Sequence, residues 1–195
     1  MEVKTIAVIG AGMMGRGIAY AAAFGGYRTI LEDVAHSMLS HGVKWIKQTL
    51  EEDVTRGTID AKTRDAALAQ FTTINSVENA SRAADLIIEA VPEEMEMKIE
   101  LFTIFDKFAR PGAIFASNTS SLSISEMAAV TFCPERCIGM HFCNPDPRRK
   151  LLQLVKGVET SEDTISTCRE VGRRMGKEVV VVHEAPGFSI RRREE

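Results

Sequence analysis

The fold of this chain is indicated first by residues 6–15, which read IAVIGAGMMG. A short apolar run of strand length, residues 5–9, leads directly into a Gly-x-Gly-x-x-Gly pattern. The residues after it have a helical pattern as far as Gly25-Gly26. A glycine-rich turn between a strand and a helix is typical of a dinucleotide-binding Rossmann domain.

The residues of this turn have separate physical roles. Gly10 permits the tight turn, Gly12 lets the backbone approach a pyrophosphate, and Gly15 allows the helix to pack closely on the strand. Met13 and Met14 begin the helix, whose free N–H groups and dipole face the anion. We therefore expect all five residues to bind the cofactor.

One acidic residue indicates which dinucleotide is bound. Asp33 follows Gly15 by 18 residues, at the end of the second predicted strand. A carboxylate at this position accepts hydrogen bonds from the adenosine ribose and repels a 2'-phosphate. The predicted cofactor is NAD; the alternative is a chance surface acid beside a glycine-rich turn.

The rest of the chain alternates strands with helices. Further apolar runs of strand length occur at residues 28–31, 86–88, 113–116, 137–140, 151–155 and 179–182. A helix is predicted from Met95 to Phe108, and a polar helical excursion spans residues 51–70. This alternation predicts an α/β fold with a doubly wound, mostly parallel sheet and helices on both faces.

Composition argues against several classes of function. The chain has 24 Lys and Arg against 27 Asp and Glu, and its net charge of −3 gives no broad attraction for nucleic acid or an anionic membrane. No apolar run approaches the roughly 20 residues of a membrane span, and the first residues do not have the basic, apolar and small-residue pattern of a signal peptide. Four cysteines are too few for a small disulfide framework, so the expected location is a reducing cytoplasm.

Two polar clusters follow predicted strands, at residues 117–121 (SNTSS) and 141–145 (HFCNP). In a doubly wound sheet the carboxyl ends of the strands lie beside the cofactor. Oxidation of an alcohol by hydride transfer needs a base for the hydroxyl proton, and histidine suits this role at neutral pH. His141 is the candidate base; the alternative is a histidine that is only satisfied by its surroundings.

The cysteines near His141 are a possible zinc signature. Cys137 and His141 are four residues apart on a predicted strand, which separates them by about 13 Å at roughly 3.3 Å per residue. One zinc ion, with bonds of about 2.1 to 2.3 Å, does not bridge that distance. No metal site is expected, and Cys133, Cys137, Cys143 and Cys168 are expected to pack as small apolar residues.

The motifs, taken together, resemble those of the 3-hydroxyacyl-CoA dehydrogenase family. They are GAGMMGRG at 10–17, EAVPE at 89–93, SNTSS at 117–121, HFCNP at 141–145 and APGF at 185–188. The resemblance covers essentially the whole chain. It implies an NAD-dependent oxidoreductase that converts an L-3-hydroxyacyl-CoA to the 3-ketoacyl-CoA, or the reverse, in fatty-acid metabolism.

The resemblance also implies catalytic roles for individual residues. It makes His141 the general base toward the 3-hydroxyl group, while Ser120 and Asn144 hold the reacting oxygen and the imidazole. Without the family, Ser120 is equally a helix cap and Asn144 with Pro145 is equally a turn.

The same resemblance places Glu93, Lys98 and Asn118 in the cofactor site. Without the family, Asn118 is equally a helix cap, and Glu93 with Lys98 is equally a solvated helix face.

The sequence departs from the family at the partner of the histidine. The family orients that histidine with a glutamate twelve residues further on, where this chain has Gln153. A neutral amide does not stabilise an imidazolium, and an amide that donates to the ring selects the wrong tautomer. That fault costs about 10⁴ in turnover in a serine protease. Weak or absent chemistry is expected even when NAD binds.

Other departures concern the substrate. Asp146, Arg148 and Arg149 stand where the family has mostly apolar residues, and Arg191 replaces an asparagine that follows the PGF motif. These changes put acyl-CoA binding in doubt.

The predicted domain organisation is an NAD-binding Rossmann domain at residues 1–184 and a truncated linker at 185–195. In the family this domain is followed by a helical domain that forms the dimer, and that domain is expected to be absent here. An isolated half should expose apolar surface, so a homo-oligomer or a helical partner is expected. A simple frayed terminus is the alternative for residues 185–195.

Three functional hypotheses remain open from the sequence. The first is the NAD-dependent oxidation of an L-3-hydroxyacyl-CoA to the 3-ketoacyl-CoA, or its reverse. The second is a dinucleotide-binding homologue without turnover, because of Gln153 and the missing helical domain. The third is a related dehydrogenase of small hydroxy acids or sugar acids, for which free CoA would not compete.

Overall fold

The computed structural model describes residues 2–184. Its strands are β1 Thr5–Ile9, β2 Arg28–Glu32, β3 Phe71–Ile74, β4 Leu86–Glu89, β5 Ile114–Ser117, β6 Cys137–Phe142, β7 Leu151–Lys156 and β8 Glu178–His183. Its helices are α1 Met13–Phe24, α2 His36–Thr55, α3 Ala61–Ala69, α4 Val77–Ala83, α5 Met95–Phe108, α6 Ile124–Ala128 and α7 Glu162–Arg174, with a 3-10 turn at Pro134–Arg136.

The strands form one sheet in the order β3-β2-β1-β4-β5-β6-β7-β8. All neighbouring pairs are parallel except β6 with β7. The connection between those two strands, residues 143–150, is too short for a crossover, so β7 returns antiparallel. The chain changes direction between β1 and β4, which is where a doubly wound sheet forms its ligand crevice. The predicted α/β fold is confirmed.

Both faces of the sheet are covered because β1 is apolar on both sides. Ile6 and Val8 belong to one core with residues of α1, α2 and α7. Ala7 and Ile9 belong to a second core with residues of α4, α5 and α6. Successive side chains of a strand point to opposite faces, so this uninterrupted apolar run requires a helical layer on each side. The predicted layers are therefore confirmed.

The strand β3 was not predicted. It is four residues long and lies at the edge of the sheet, and Thr72 and Thr73 are exposed. An exposed edge strand lacks the continuous apolar run by which the other strands are recognised. The helical excursion predicted at residues 51–70 is found as two helices, the end of α2 and the whole of α3, separated by residues 56–60, and α2 begins earlier, at His36.

Some sequence predictions fall outside the described residues. The APGF motif, the linker at 185–195 and Arg191 are among them. Within residues 2–184, none of the helices combines the length and the apolar character that a membrane crossing needs.

Candidate functional site

Four parallel strands end at the same edge of the sheet. Strand β1 leads into the glycine turn, β4 into residues 90–94, β5 into residues 118–123 and β6 into residues 143–150. The motifs singled out in the sequence are therefore brought side by side. This edge is where doubly wound sheets bind their ligands.

The glycine turn has the geometry that its sequence predicts. Gly10 has a φ of +99°, a conformation that other residues rarely adopt. A Cβ on Gly15 would lie 1.7 Å from the carbonyl oxygen of Gly10, so only glycine lets α1 begin so close to the turn. A Cβ on Gly12 would meet nothing within 4 Å, which leaves open space in front of the backbone there. The turn fits a pyrophosphate.

The start of α1 faces this open space. Gly12 caps the helix without a side-chain hydrogen bond, Met13 begins it, and its first turn contains no acidic residue. The first N–H groups of a helix have no partners within it, and the helix dipole makes this end positive. The N-terminus of α1 is therefore suited to an anion.

Asp33 lies directly against the turn. Its Oδ2 accepts a hydrogen bond of 2.9 Å from the N–H of Ala11, and its Oδ1 accepts one of 2.9 Å from the N–H of Ala35. Each carboxylate oxygen has a second lone pair that can accept from a ribose hydroxyl. The fixed position of this charge fits the predicted role of Asp33 toward the adenosine ribose of NAD.

A cleft of about 520 Å³ opens beside the turn. Its polar end includes Gly10, Gly12 and Asp33. Apolar side chains make up most of its remaining wall, namely Ile9, Val34, Met38, Val77, Ala90, Val91, Pro92, Met97, Leu101 and Ile104. A mostly apolar cleft next to a phosphate turn fits the adenosine half of a dinucleotide, and we call it the adenosine cleft.

Sequence reasoning missed one acidic residue of this cleft. Glu32, the last residue of β2, lines the cleft and is only 1% exposed. Its Oε1 atom has no hydrogen-bond partner among the described residues. Burial, and then the negative charges of Asp33 and Glu78, raise the pKa of Glu32 to about 7. The available signal was an acidic residue directly after the apolar run of β2, beside Asp33.

Glu93 holds the SNTSS segment in place. Its Oε1 accepts hydrogen bonds from Thr119 Oγ1 at 2.5 Å, from Ser120 N at 3.0 Å and from Ser121 Oγ at 3.1 Å. Burial acts to raise the pKa of Glu93, but these hydrogen bonds and the charge of Lys98 outweigh burial and lower it. Glu93 therefore joins the segment after β4 to the segment after β5.

Lys98 lies beneath Glu93 and is only 1% exposed. Its Nζ donates to both carboxylate oxygens of Glu89, at 2.7 and 2.9 Å, and lies 3.4 Å from Glu93 Oε2. Ser117 also donates a short hydrogen bond to Glu89. The alternative of a solvated helix face is wrong for Lys98, because its ammonium group is buried among acidic partners.

His141 and Gln153 form the pair that the sequence indicated. They face each other in the antiparallel ladder of β6 and β7, and His141 Nδ1 lies 3.1 Å from Gln153 Oε1. Gln153 is buried and His141 is half-buried. The amide oxygen only accepts, so Nδ1 carries the hydrogen and Nε2 keeps its lone pair for a proton.

The structure does not favour the wrong tautomer of His141 that the sequence prediction considered. The sequence prediction considered an amide that donates to the ring, whereas here the oxygen of Gln153 faces Nδ1. Gln153 thus orients His141 as a carboxylate would. It lacks only the negative charge that stabilises an imidazolium.

The other predicted polar residues stabilise the loops around His141. Asn118 Oδ1 accepts from the N–H of Phe142 at 2.9 Å, which ties the end of β5 to that of β6. Asn144 Oδ1 accepts from the N–H of Asp146 at 2.8 Å, so it forms the turn considered as its alternative role. Within residues 2–184, neither Asn144 nor Ser120 is hydrogen-bonded to His141.

The segment after β6 is anchored to the helical layer. Arg148 Nε donates to Asp53 Oδ1 at 2.9 Å, and Tyr20 donates to the other oxygen of Asp53 at 2.5 Å. A Cβ on Gly17 of α1 would lie 2.5 Å from the carbonyl oxygen of Pro145. Arg148 is thus folded back onto α2, and Gly17 allows the segment to contact α1.

The cysteine prediction needs one correction. Cys133, Cys137 and Cys168 are buried, as expected for small apolar residues, but Cys143 is exposed in the loop after β6. That loop continues past the end of the sheet, so it offers no core in which a side chain can pack. Among the described residues, no group of three or more His, Cys, Asp or Glu side chains is placed to hold a metal ion.

The chain was compared with known families and proteins. Residues 5–185 match the family model of the 3-hydroxyacyl-CoA dehydrogenase NAD-binding domain. A probable 3-hydroxybutyryl-CoA dehydrogenase of Bacillus subtilis is 41% identical over 188 residues, which are 96% of this chain and 65% of that protein. A 3-hydroxyadipyl-CoA dehydrogenase of Escherichia coli is 38% identical over 98% of this chain and 40% of its own length.

Solved structures agree with these relatives. A 3-hydroxybutyryl-CoA dehydrogenase from Escherichia coli K12 matches 96% of this chain and 40% of its own, with a TM-score of 0.92 and 37% identity. An (S)-3-hydroxybutyryl-CoA dehydrogenase from Ralstonia eutropha matches 98% of this chain and 67% of its own, with a TM-score of 0.92 and 33% identity. The chain spans 40% to 65% of the length of the two curated relatives described above.

Alanine substitutions at two glycines of the turn should affect different properties, NADH binding for Gly12 and folding stability for Gly15. We expect Gly12→Ala to change the free energy of unfolding by less than about 1 kcal/mol. It should nevertheless lower NADH affinity at least about tenfold, because the methyl group enters the space of the pyrophosphate. Gly15→Ala should destabilise the chain by more than about 2 kcal/mol, because its Cβ meets the Gly10 carbonyl. Denaturant unfolding and calorimetric titration measure both; equal NADH affinity in wild type and Gly12→Ala would contradict the assignment.

Stability should depend on pH through Glu32. Its pKa rises from the usual 4.5 to about 7 on folding, so the folded chain loses stability as pH rises through this range. We compare the free energy of unfolding of Glu32→Gln with that of wild type. We expect this difference, variant minus wild type, to be about 2 kcal/mol larger at pH 8 than at pH 5. Glu100→Gln, at an exposed position of the same cleft, should leave the pH dependence unchanged. Denaturant unfolding at both pH values measures this. The assignment is wrong if the difference in free energy of unfolding between Glu32→Gln and wild type is the same at pH 5 and pH 8.

Proposed function

The chain belongs to the 3-hydroxyacyl-CoA dehydrogenase family, as its NAD-binding domain, and from this premise we propose that it carries the cofactor site and general base of an NAD-dependent L-3-hydroxyacyl-CoA dehydrogenase. The observation that carries the proposal is His141, which is oriented by Gln153 at the edge that also presents the glycine turn. The substrate is a 3-hydroxyacyl-CoA, and the product is the corresponding 3-ketoacyl-CoA.

His141 has the position of a general base. NAD supplies the acceptor for the hydride from the carbon that bears the hydroxyl group. Nε2 of His141 takes the hydroxyl proton while Nδ1–H donates to Gln153 Oε1. The imidazolium then donates from both nitrogens, and Gln153 still accepts from one of them. Gln153 therefore orients His141 for proton removal but provides no negative charge to stabilise the imidazolium that forms.

The segments around His141 position the remaining groups. Ser120 and Asn144 are not hydrogen-bonded to His141 among residues 2–184, and in the proposal they bind the reacting oxygen and the imidazole when the substrate is present. Ser120 Oγ lies 3.4 Å from Glu93, a long contact that leaves its hydroxyl available to a substrate. Glu93 and Asn118 act on the cofactor site by fixing the segment between β5 and α6. Lys98 supports Glu93 from below.

A second candidate function is dinucleotide binding without turnover. The observation in its favour is the uncharged side chain of Gln153 opposite His141. A neutral amide orients the histidine but does not stabilise the imidazolium that forms when the proton is taken up, which is part of the role of the carboxylate in serine proteases. The two candidates differ in turnover and agree on cofactor binding.

We also propose a cytoplasmic location and association with a second copy or a helical partner. All four cysteines are free thiols, which fits a reducing compartment. Phe132 is 98% exposed and Val158 is 86% exposed, and such side chains favour association where they form a contiguous patch. Light scattering that showed only a monomer at high concentration would contradict the association.

Calorimetric titration with NADH and NADPH tests the cofactor site. We expect NADH to bind at least about tenfold more tightly than NADPH, because a 2'-phosphate would lie against Asp33. Asp33→Asn should narrow this preference, since it removes the charge and keeps the shape. Equal binding of both dinucleotides by the wild type would contradict the role of Asp33.

Restoring the charge opposite His141 tests catalysis. We expect Gln153→Glu to raise kcat for oxidation of L-3-hydroxybutyryl-CoA at least about tenfold, with little change in KM, because the carboxylate stabilises the imidazolium. Gln153→Met is the matched control; it removes the acceptor and should turn over more slowly than wild type. Circular dichroism and NADH affinity check that both variants are folded. A Gln153→Glu variant that is folded, binds NADH and gains no turnover would favour the binding-only function for this chain.

A further inference from the structure

The adenosine cleft contains one acid whose role is not explained by the phosphate turn. Glu32 is 1% exposed, and its Oε1 has no partner among the described residues. A buried polar atom without a hydrogen bond costs roughly 1–3 kcal/mol. Glu32 lines the cleft, so a ligand that brings a donor to its carboxylate, with a rotation of the side chain that opens Oε1 to the cleft, would offset the cost.

Glu32 and Asp33 are adjacent in sequence but serve different parts of the cleft. Asp33 lies beyond the end of β2, and the N–H groups of Ala11 and Ala35 hold its carboxylate at the turn. Glu32 is still in the strand, on the face of Ile30, which packs in the core with α4 and α5. Its carboxyl group thus belongs to the apolar end of the cleft, away from the pyrophosphate.

The charges of the cleft limit the chemistry of the ligand. Its wall includes three carboxylates, Glu32, Asp33 and Glu100, and no Lys, Arg or His within the described part of the chain. Glu78 of α4 adds a further negative charge near Glu32. The group that reaches Glu32 is therefore uncharged or positive, and it donates a hydrogen bond.

An adenine base has one such group. When it is joined to ribose through N9, its ring nitrogens only accept hydrogen bonds, and its exocyclic 6-amino group donates. The ribose hydroxyls face Asp33, so the amino group is the donor that remains for the acid at the apolar end. We propose that Glu32 accepts a hydrogen bond from the 6-amino group of the adenine and selects adenine against 6-oxo purines. This inference rests on the proposed binding of NAD.

The selectivity follows from the direction of the hydrogen bond. A 6-oxo purine would place a carbonyl oxygen against the carboxylate of Glu32, so that two acceptors face each other. Glutamine has nearly the same shape and offers both an acceptor and a donor. Glu32→Gln should therefore accept either base. Glu32 is mostly ionised at pH 8, where the discrimination is best measured, because its pKa is about 7.

The test compares NADH with reduced nicotinamide hypoxanthine dinucleotide, which differs at the 6-position of the base, by calorimetry at pH 8. We expect the wild type to bind NADH at least about tenfold more tightly than the hypoxanthine analogue, the order of one unpaired polar group in a buried site. Glu32→Gln should reduce the preference to within about threefold, and Glu100→Gln, the matched control, should retain it.

The outcomes separate this inference from the proposed function. Wild-type protein that binds NADH but shows no preference between the two dinucleotides overturns the role of Glu32 and leaves the cofactor site intact. A preference that Glu32→Gln retains in full overturns it as well. Wild-type protein that binds neither dinucleotide overturns both proposals. The wild-type preference is measured without the variant, so a poorly folded Glu32→Gln does not prevent the test.

Discussion

The close approach of α1 to the glycine turn is the constraint on which the site depends. With 1.7 Å between the Gly10 carbonyl and the place of a Gly15 Cβ, no other residue lets the helix begin at Met13. That start leaves the first N–H groups of α1 unpaired and open. It also brings Ala11 within hydrogen-bonding distance of Asp33. The absence of a side chain at Gly15 therefore sets both the open N-terminus of α1 and the position of Asp33.

Carboxylates organise the rest of this edge. Asp33 fixes the loop after β2, Glu93 fixes the segment after β5, and Glu89 holds Lys98 beneath both segments. Each of these three carboxylates has its charge compensated by N–H, O–H or ammonium donors, which is the condition for burying it at low cost. Glu32 is the exception, because its Oε1 has no donor among residues 2–184. Glu32 is therefore the position at which we propose that the ligand supplies the missing donor.

The antiparallel pair of β6 and β7 determines the chemistry available to His141. The short connection turns the chain back and places Gln153 in register with the histidine. This geometry leaves Nε2 of His141 free for the proton transfer proposed above. An acid at residue 153 would both orient His141 and stabilise its positive charge, whereas the amide of Gln153 only orients it. Fold and orientation are preserved while the electrostatic contribution is lost.

The family resemblance indicated Gln153 as the partner of His141. The sequence alone predicted the alternation of strands and helices, the phosphate turn, Asp33 and His141 as the candidate base. These features follow from local patterns: apolar runs, glycine spacing and polar residues after strands. It missed β3, because a short edge strand is exposed and lacks an apolar run. It also left Lys98 open as a surface residue, because burial of an ammonium depends on Glu89, which lies on a different element.

Only the tertiary structure decided which atoms meet. The direction of the Gln153 amide, the use of Asn144 in a turn and the unpaired oxygen of Glu32 each depend on residues far apart in the chain or on the local backbone path. A hydrogen bond requires a donor and an acceptor within about 3 Å, and a linear pattern of residue types does not contain that distance.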